Sequence, residues 1–519
     1  MTQYWAEQDG AGNGTTVDTP GTIFALAPGL GPDDTLWLKS GNYTGPNNMF
    51  TVVDKTHGTL GHPITVKAVT DGGVLIDGQS ARQPLLLSGV DYWTVEGINF
   101  RKSLNTTVAR LYNSNYCQVK RCCAWDAPID WNAVVFSAGA GGGGTAQHNL
   151  FEDCCGFGKG RKIFSASQGG DYTTFRRCLG IWMGSTNVGP KMPFTYAYRN
   201  YHCIFENCVA MWTGEAMPAS YTLMSDGAVW TGAGAGTYTT VEQPYGPFAY
   251  DGLSASHDAY TVLKGCISLV RTADNCVPIA GTGLFFAGML DQITIENCAT
   301  YSEKAIPGFM LYTDTSETPT GLSANYLTAI SPSASLIQAA WLPASGRNIL
   351  QQAALVSGQD IRDQVNGLGA SIRYRYVDGV LTGTGLWPWP MDARIAAALT
   401  AGGYTSFTLT NVIAGLGGAV VEPSAPAMVL YEDALRRREG RTTEGHTWYL
   451  RVYNVPAEAL AAALPAKGDT LPGETLDATN TILGPYVRDI RFGRKLSAKD
   501  GSQTLQQVVI EGRKLKTRV

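Results

Sequence analysis

The chain is poor in charge. Of its 519 residues only 16% are charged, the formal net charge is −4, and there are six histidines. No helix-turn-helix, zinc-finger or RNA-binding signature accompanies the few basic runs, so no nucleic-acid partner is expected. No run of 18 apolar residues occurs, which excludes a membrane-spanning helix. Nor is there a Gly-x-x-x-x-Gly-Lys-Ser/Thr segment; AGAGGGGTA (138–146) reads as a flexible loop, not a phosphate cradle. The opening, MTQYWAEQDGAGNGTT, lacks the basic start and apolar core of a secretory signal. The expectation is a protein made in a cytoplasm and reaching a virion or the extracellular space by lysis or another non-classical route.

Paired cysteines at zinc-finger spacing are also missing, and the cysteine count, 11, is odd. A disulfide framework belongs to small secreted domains, so reduced structural thiols are the first reading, with some disulfides the second and a metal site the last.

What is present is a repeat. VEGINF, VKRCC, FEDCC, FRRC, FENC, LKGC and IENC each place an apolar residue, usually cysteine, three positions after another. The marked residues are Ile98, Cys122, Cys154, Cys178, Cys208, Cys266 and Cys298, spaced by 24, 32, 24, 30, 58 and 32 residues. A period of this size signals a solenoid, propeller or array. Up to about residue 345 the segments between turns are short, alternating and rich in Val, Ile, Thr, Tyr and Phe, as in TLWLKSG, PITVKAV and YWTVEGINF. Such strands bury their apolar face only by stacking on their equivalents, about 4.8 Å away. The marked positions are therefore read as an interior ladder of a parallel β-helix, an all-β fold. Of the adjacent pairs Cys122–Cys123 and Cys154–Cys155, one member should face in and the other out.

Three stretches resemble a known family. IFALAPGLGPDDTLWLKSGNYTG, HGTLGHPITVKAVTDGGVLIDG and VDYWTVEGINFR look like the opening coils of right-handed parallel β-helix proteins of the pectate-lyase-like superfamily. The resemblance covers residues 15 to 345. It implies the right-handed form of the fold and a range of functions: polysaccharide lyases, glycoside hydrolases, carbohydrate epimerases and phage tailspikes. RYVDGVLTGTGLWPWPMDARI (375–395) is similar to a segment that ends many bacterial β-helix proteins. Trp387, Trp389 and Met391 on this Pro-stiffened run suit a cap over the open end, within a cap region spanning 346–415; a carbohydrate-stacking platform is the alternative.

After residue 395 the character changes. ARIAAALTAGG reads as a short helix ended by Gly402 and Gly403, and GLGGAVVEPSAPAM (415–428) as a linker. Residues 425–519 then form a small separate β-rich (α+β) domain with 15 Lys+Arg against 11 Asp+Glu, net +4, which leaves −8 for the rest. Its runs RRREGR (436–441) and GRKLKTRV (512–519) read as solvated faces first and as a docking surface for an acidic partner second.

The candidate chemistry lies in WDAPIDW and FGKGRKI. Asp126 and Asp130 between Trp125 and Trp131, with Lys159, Arg161 and Lys162 a coil away, could line a sugar groove. Trp faces stack on pyranose rings and cations pair with uronate carboxylates. A hydrolase needs two carboxyls about 5 to 10 Å apart, whereas a lyase needs one base and a neutralising cation, either Arg/Lys or Ca²⁺. Asp171, Asp226, Asp251, His257 and Asp258 are weaker candidates, because Asp beside Gly is first a turn signal. His148 and His202 read as turn or packing residues. The Arg-x-Pro-x-x-Arg segment of pectate lyases is absent, as is a calcium-binding Asp constellation, so no cofactor is expected and no catalytic residue is carried over.

The leading expectation is a virion structural protein, a phage tail, baseplate or fibre part. Its β-helix would meet host-surface polysaccharide, residues 425–519 would join other virion proteins, and a homo-oligomer such as a trimer follows from the resemblance. A polysaccharide-degrading enzyme, lyase or hydrolase, is the alternative, and a non-catalytic cell-surface glycan-binding module the third reading.

Overall fold

A computed structural model describes residues 1–104, 107–128, 134–158, 160–183, 192–197 and 200–212; beyond these it describes short runs of the later coils, residues 374–377, 380–385 and 389–404, and strands after 427. The chain forms two compact units. One comprises Met1–Gly358 with Tyr374–Ala414, the other Gln359–Arg373 with Gly415–Val519.

The first unit is a right-handed parallel β-helix of three sheets, A, B and C, with 12, 11 and 10 strands. Sheet A begins with Gln3–Ala6, Thr35–Leu38, Ile64–Ala68, Trp93–Glu96, Gln118–Lys120 and Leu150–Glu152, each paired in parallel with the next. The chain visits the sheets in turn, so neighbours within a sheet lie one coil apart. Short α1, Ile23–Leu26, precedes the second coil, with Thr22 Oγ1 capping the Ala25 N–H at 3.2 Å.

The expected ladder forms the interior. Val95, Val119, Phe151, Phe175, Phe205, Leu263 and Ile295 occupy one register position of sheet A. Ile98, Cys122, Cys154, Cys178, Cys208, Cys266 and Cys298 follow at the A-to-B corner, all buried in the same core. Each thiol points at a backbone carbonyl of the preceding coil: Cys154 at Val119 (3.3 Å), Cys178 at Phe151 (3.3 Å), Cys208 at Phe175 (3.2 Å) and Cys266 at Phe205 (3.3 Å). Cysteine suits the position twice over, as a small apolar filler and as a weak donor to a carbonyl turned inward at the corner. The ten described cysteines are free thiols.

The adjacent pairs split as expected. Cys123 and Cys155 are in register on sheet B, and Phe100 and Ala124, the next residues along, face the core. The outward face of sheet B is nonetheless apolar, with Cys123, Trp125, Cys155, Phe157, Leu179 and Ile181 all buried.

That face explains the fate of the Trp-Pro-Trp-Pro-Met segment. The sequence placed Trp389 and Met391 over the open end, together with Trp387, which lies outside the described residues. Trp389 and Met391 are buried, but they lead into α2, Asp392–Ala401, which lies on the side of the β-helix. Arg394 of α2 donates to Asp71 Oδ1 (2.6 Å), Asn99 Oδ1 (2.6 Å) and the Arg121 carbonyl, which belong to three early coils. Burying apolar surface is favourable, and α2 covers part of that outer face with Ile395, Ala398 and Leu399 buried.

Corners turn through the left-handed region. At the A-to-B corner the positive-φ residues are Gly97, Arg121, Asp153, Arg177, Asn207 and Gly265, several of them types that tolerate it. At the C-to-A corner they are Tyr92, Tyr116, His148, Tyr172, His202 and Tyr260, and the tyrosines are bulky types that rarely adopt it. Their rings stack face to face, with centroids 4.5–4.7 Å apart along the whole column. Stacking worth about 0.5–1.5 kcal/mol per pair offsets a left-handed cost of about 1–2 kcal/mol per residue. His148 and His202 are thus packing residues of a corner, as the sequence reading had them.

In the second unit, Ala427–Tyr431, His446–Val452 and Val487–Arg494 form a three-stranded antiparallel sheet.

Candidate functional site

The faces of the β-helix offer a ligand different things. On sheet A the last outward position of each strand carries alternating charge: Lys67, Glu96, Lys120, Glu152, Arg176, Glu206, Lys264 and Glu296, each in register with the next. Lys67 meets Glu96 at 3.6 Å, Arg176 meets Glu206 at 2.8 Å and Glu152 at 3.5 Å, and Lys264 meets Glu296 at 3.4 Å. The face neutralises itself. The early strands of sheet B are covered by α2. The corner between sheets B and C gathers carboxylates, cations and a phenol.

There, Lys102, Asp126 and Gly158 hold equivalent places on successive coils, since Arg101, Trp125 and Phe157 just before them are in register. All three have positive φ, 54°, 56° and 86°. A Cβ on Gly158 would stand 2.7 Å from Asp126 Oδ1 and 2.8 Å from Tyr404 Oη, so only glycine leaves room for that pair. Tyr404 follows the Gly402–Gly403 end of α2 and donates its hydroxyl to Asp126 Oδ1 at 2.5 Å. Its ring packs edge-on against Phe157, centroids 5.7 Å apart.

One coil back, Asp77 is buried and bound by Arg101 through Nε at 2.8 Å and Nη2 at 2.7 Å. Gly78 beside it allows the close approach, because a Cβ would meet the Lys102 carbonyl at 2.4 Å. One coil on, Trp182 Nε1 donates to the Gly160 carbonyl at 2.8 Å and fixes the turn that carries Arg161 and Lys162. These two cations are nearly enclosed, at 4% and 5% exposure. Four cations, Arg101, Lys102, Arg161 and Lys162, therefore stand with two carboxylates, Asp77 and Asp126, on a chain of net charge −4.

Of the residues singled out from sequence, Asp126, Arg161 and Lys162 share this corner. Arg161 and Lys162 are too enclosed to be contact groups. Asp130, Trp131 and Lys159 lie outside the described residues, as do Asp226, Asp251, His257 and the side chain of Asp258. Trp125 is corrected: it is fully buried, stacked on Phe157 at 5.1 Å, and covered from outside by α2, so no sugar reaches its face. Asp171 belongs to the C-to-A corner, where it accepts from the Tyr201 N–H at 2.8 Å and from Gln147 Nε2 at 3.0 Å. Sequence reading missed Lys102, the Arg101–Asp77 pair and Tyr404. Aligning INFRKS on CCAWDA by the ladder would have found the first.

Ca²⁺ takes six to eight oxygen ligands. Asp77 is tied to Arg101, and among the described residues no three His, Cys, Asp or Glu side chains gather where a metal could sit. The described donor set does not fit that ion.

No protein-family model matches the chain, and no curated protein matches its sequence. Among solved structures the chain is similar to pectate lyase Pel9A, with 13% identity, a TM-score of 0.46 and coverage of 75% of this chain and 89% of that one. It is similar to a rhamnogalacturonan lyase at 12% identity and TM-score 0.46, covering 76% and 98%. It is also similar to an alginate lyase from Paenibacillus sp. str. FPU-7 at 13% and 0.36, covering 59% and 92%. These are likenesses of chain path; the chemistry is read from this chain's own residues.

Proposed function

We propose that the chain is an enzyme that cleaves acidic polysaccharide by β-elimination at the B-to-C corner. The observation that carries the reading is the Tyr404–Asp126 hydrogen bond, with Lys102 on the coil before it and Arg161 and Lys162 on the coil after it. Binding alone would need the cations but not a phenol and a carboxylate sharing a proton.

Lys102, exposed on the coil beside Asp126, pairs with the carboxylate of a uronate and makes its C5 proton more acidic. The exposed Lys102 also draws a polyanion to this corner and not to the self-neutralised face of sheet A. Asp126 takes the C5 proton. The C4–O4 bond breaks as the C4=C5 bond forms. Tyr404, released as Asp126 fills, gives its hydroxyl proton to O4 and recovers one from Asp126 when product leaves. A hydrolase would need a second working carboxyl, and Asp77, the other carboxyl described at this corner, is held by Arg101.

The virion placement rests on residues 425–519, whose side chains lie outside the described residues; the corner favours the enzymatic alternative. The test is incubation with a panel of polyuronates and neutral glucans while following the ultraviolet absorbance of unsaturated uronyl ends. A rise with a polyuronate and none with neutral chains supports the reading. No rise with any polyuronate overturns it.

A further inference from the structure

Most cations around the proposed site already have a carboxylate. Arg101 is paired with Asp77, Arg121 and Arg394 with Asp71, and Arg177 with Asp153. Among the described residues, Arg82 and Lys102 have no carboxylate within ion-pair distance. Lys102 is exposed and Arg82 half-buried.

These two are neighbours on successive coils. In sheet B the strand Val74–Arg82 pairs with Ile98–Ser103, and Arg82 is in register with Ser103, the residue after Lys102. The Leu104 N–H donates to the Arg82 carbonyl at 3.1 Å and ties the two coils together just past the corner. Gly78 permits that approach, since a Cβ there would stand 2.2 Å from the Arg82 carbonyl oxygen and 2.4 Å from that of Lys102. Between Gly78 and Arg82 the ladder slips, and the exposed Gln79 and Ser80 turn through positive φ, 56° and 57°. Gln79 is held there by its N–H on Asp77 Oδ1 at 2.8 Å. The inserted turn carries the chain out and brings Arg82 back beside Lys102. The Arg82 guanidinium makes one hydrogen bond among the described residues, from Nη1 to Gln79 Oε1 at 3.4 Å, so most of its fork is uncommitted.

We propose, resting on the elimination reading above, that Arg82 binds the acid group of the sugar next to the one held by Lys102. The substrate then carries carboxylates on successive units: a homopolymer of uronate, and not a chain in which uronate alternates with an uncharged sugar. One coil advances about 4.8 Å, close to the length of one pyranose in an extended chain. The guanidinium offers a carboxylate two parallel N–H donors, and the Lys102 ammonium supplies a point charge to the neighbouring one. Both cations lie on the N-terminal side of Asp126, so the acidic sugars run from the cut toward the first coil.

The test measures retardation of the full chain in gels containing polygalacturonate, alginate or hyaluronan, whose uronates alternate with an uncharged amino sugar, each against a polymer-free gel. KM and kcat come from the ultraviolet absorbance of unsaturated ends. The natural protein should bind a homopolyuronate about tenfold more tightly than hyaluronan. Arg82→Gln should remove that advantage and leave hyaluronan binding as it was, with the loss in kcat/KM lying mainly in KM; Arg82→Lys should restore part of it. Lys55→Gln removes the same charge from an exposed place beyond the sheet C strand Phe50–Val53 and should leave the advantage intact. Equal binding by the natural protein and Arg82→Gln, the same loss in Lys55→Gln, or no binding to either homopolymer would overturn the subsite. The two readings fail separately. Cleavage that is indifferent to Arg82→Gln overturns the subsite alone, whereas binding that needs Arg82 without any cleavage overturns the elimination and supports the subsite.

Discussion

Cys123 and Cys155 stand in register on adjacent strands of sheet B with their thiols outward under α2, one residue after Cys122 and Cys154, which face the core. Burial pushes the Cys123 thiol up to about 12, with Arg394 pulling the other way. In the native protein the ten described thiols should resist alkylation. Arg394→Ala removes the anchor of α2 and should expose Cys123 and Cys155 alone. Mass mapping of alkylated sites checks this; labelling of Cys122 or Cys154 at the same rate would contradict the inward–outward split.

The charge ladder of sheet A makes a second prediction. Glu206 is fully buried against Arg176, itself almost enclosed. Glu206→Ala removes the partner that Arg176 Nε holds at 2.8 Å and should cost about 3 kcal/mol, read from urea unfolding. A change below about 1 kcal/mol, the worth of an exposed pair, would mean that solvent already screens it.

Third, Cys178→Ser should cost about 1 kcal/mol or somewhat more. The shorter side chain draws its donor away from the Phe151 carbonyl but keeps one in reach at Arg176, to which the thiol is 3.5 Å distant. Melting unchanged within error would mean the thiol contributes only volume.

The sequence made the interior legible because a coil repeats a local rule: the small residue after the corner must fit between its equivalents, and Cys122, Cys154, Cys178 and Cys208 carry that rule in plain view. The corner chemistry followed no such rule. Tyr404 reaches Asp126 across 278 residues, which no spacing reveals. Trp125 looked like a platform because its outward position was readable while the helix that covers it was not. The Trp-Pro-Trp-Pro-Met segment was read as an end cap from its bulk. Nothing local told that the outer face of sheet B would be apolar and that α2 would lie on it. Lys102 was readable in principle, but only after the register had been fixed by the ladder.

The most direct test of the account is the steady-state rate on an accepted polyuronate for the natural protein beside Asp126→Asn and Tyr404→Phe, with binding followed separately. Loss of the proton acceptor or of the donor should each lower kcat about a hundredfold or more, with affinity for the polymer nearly unchanged. Both variants turning over at the natural rate would contradict the assignment of the B-to-C corner as the place where the chain is cut.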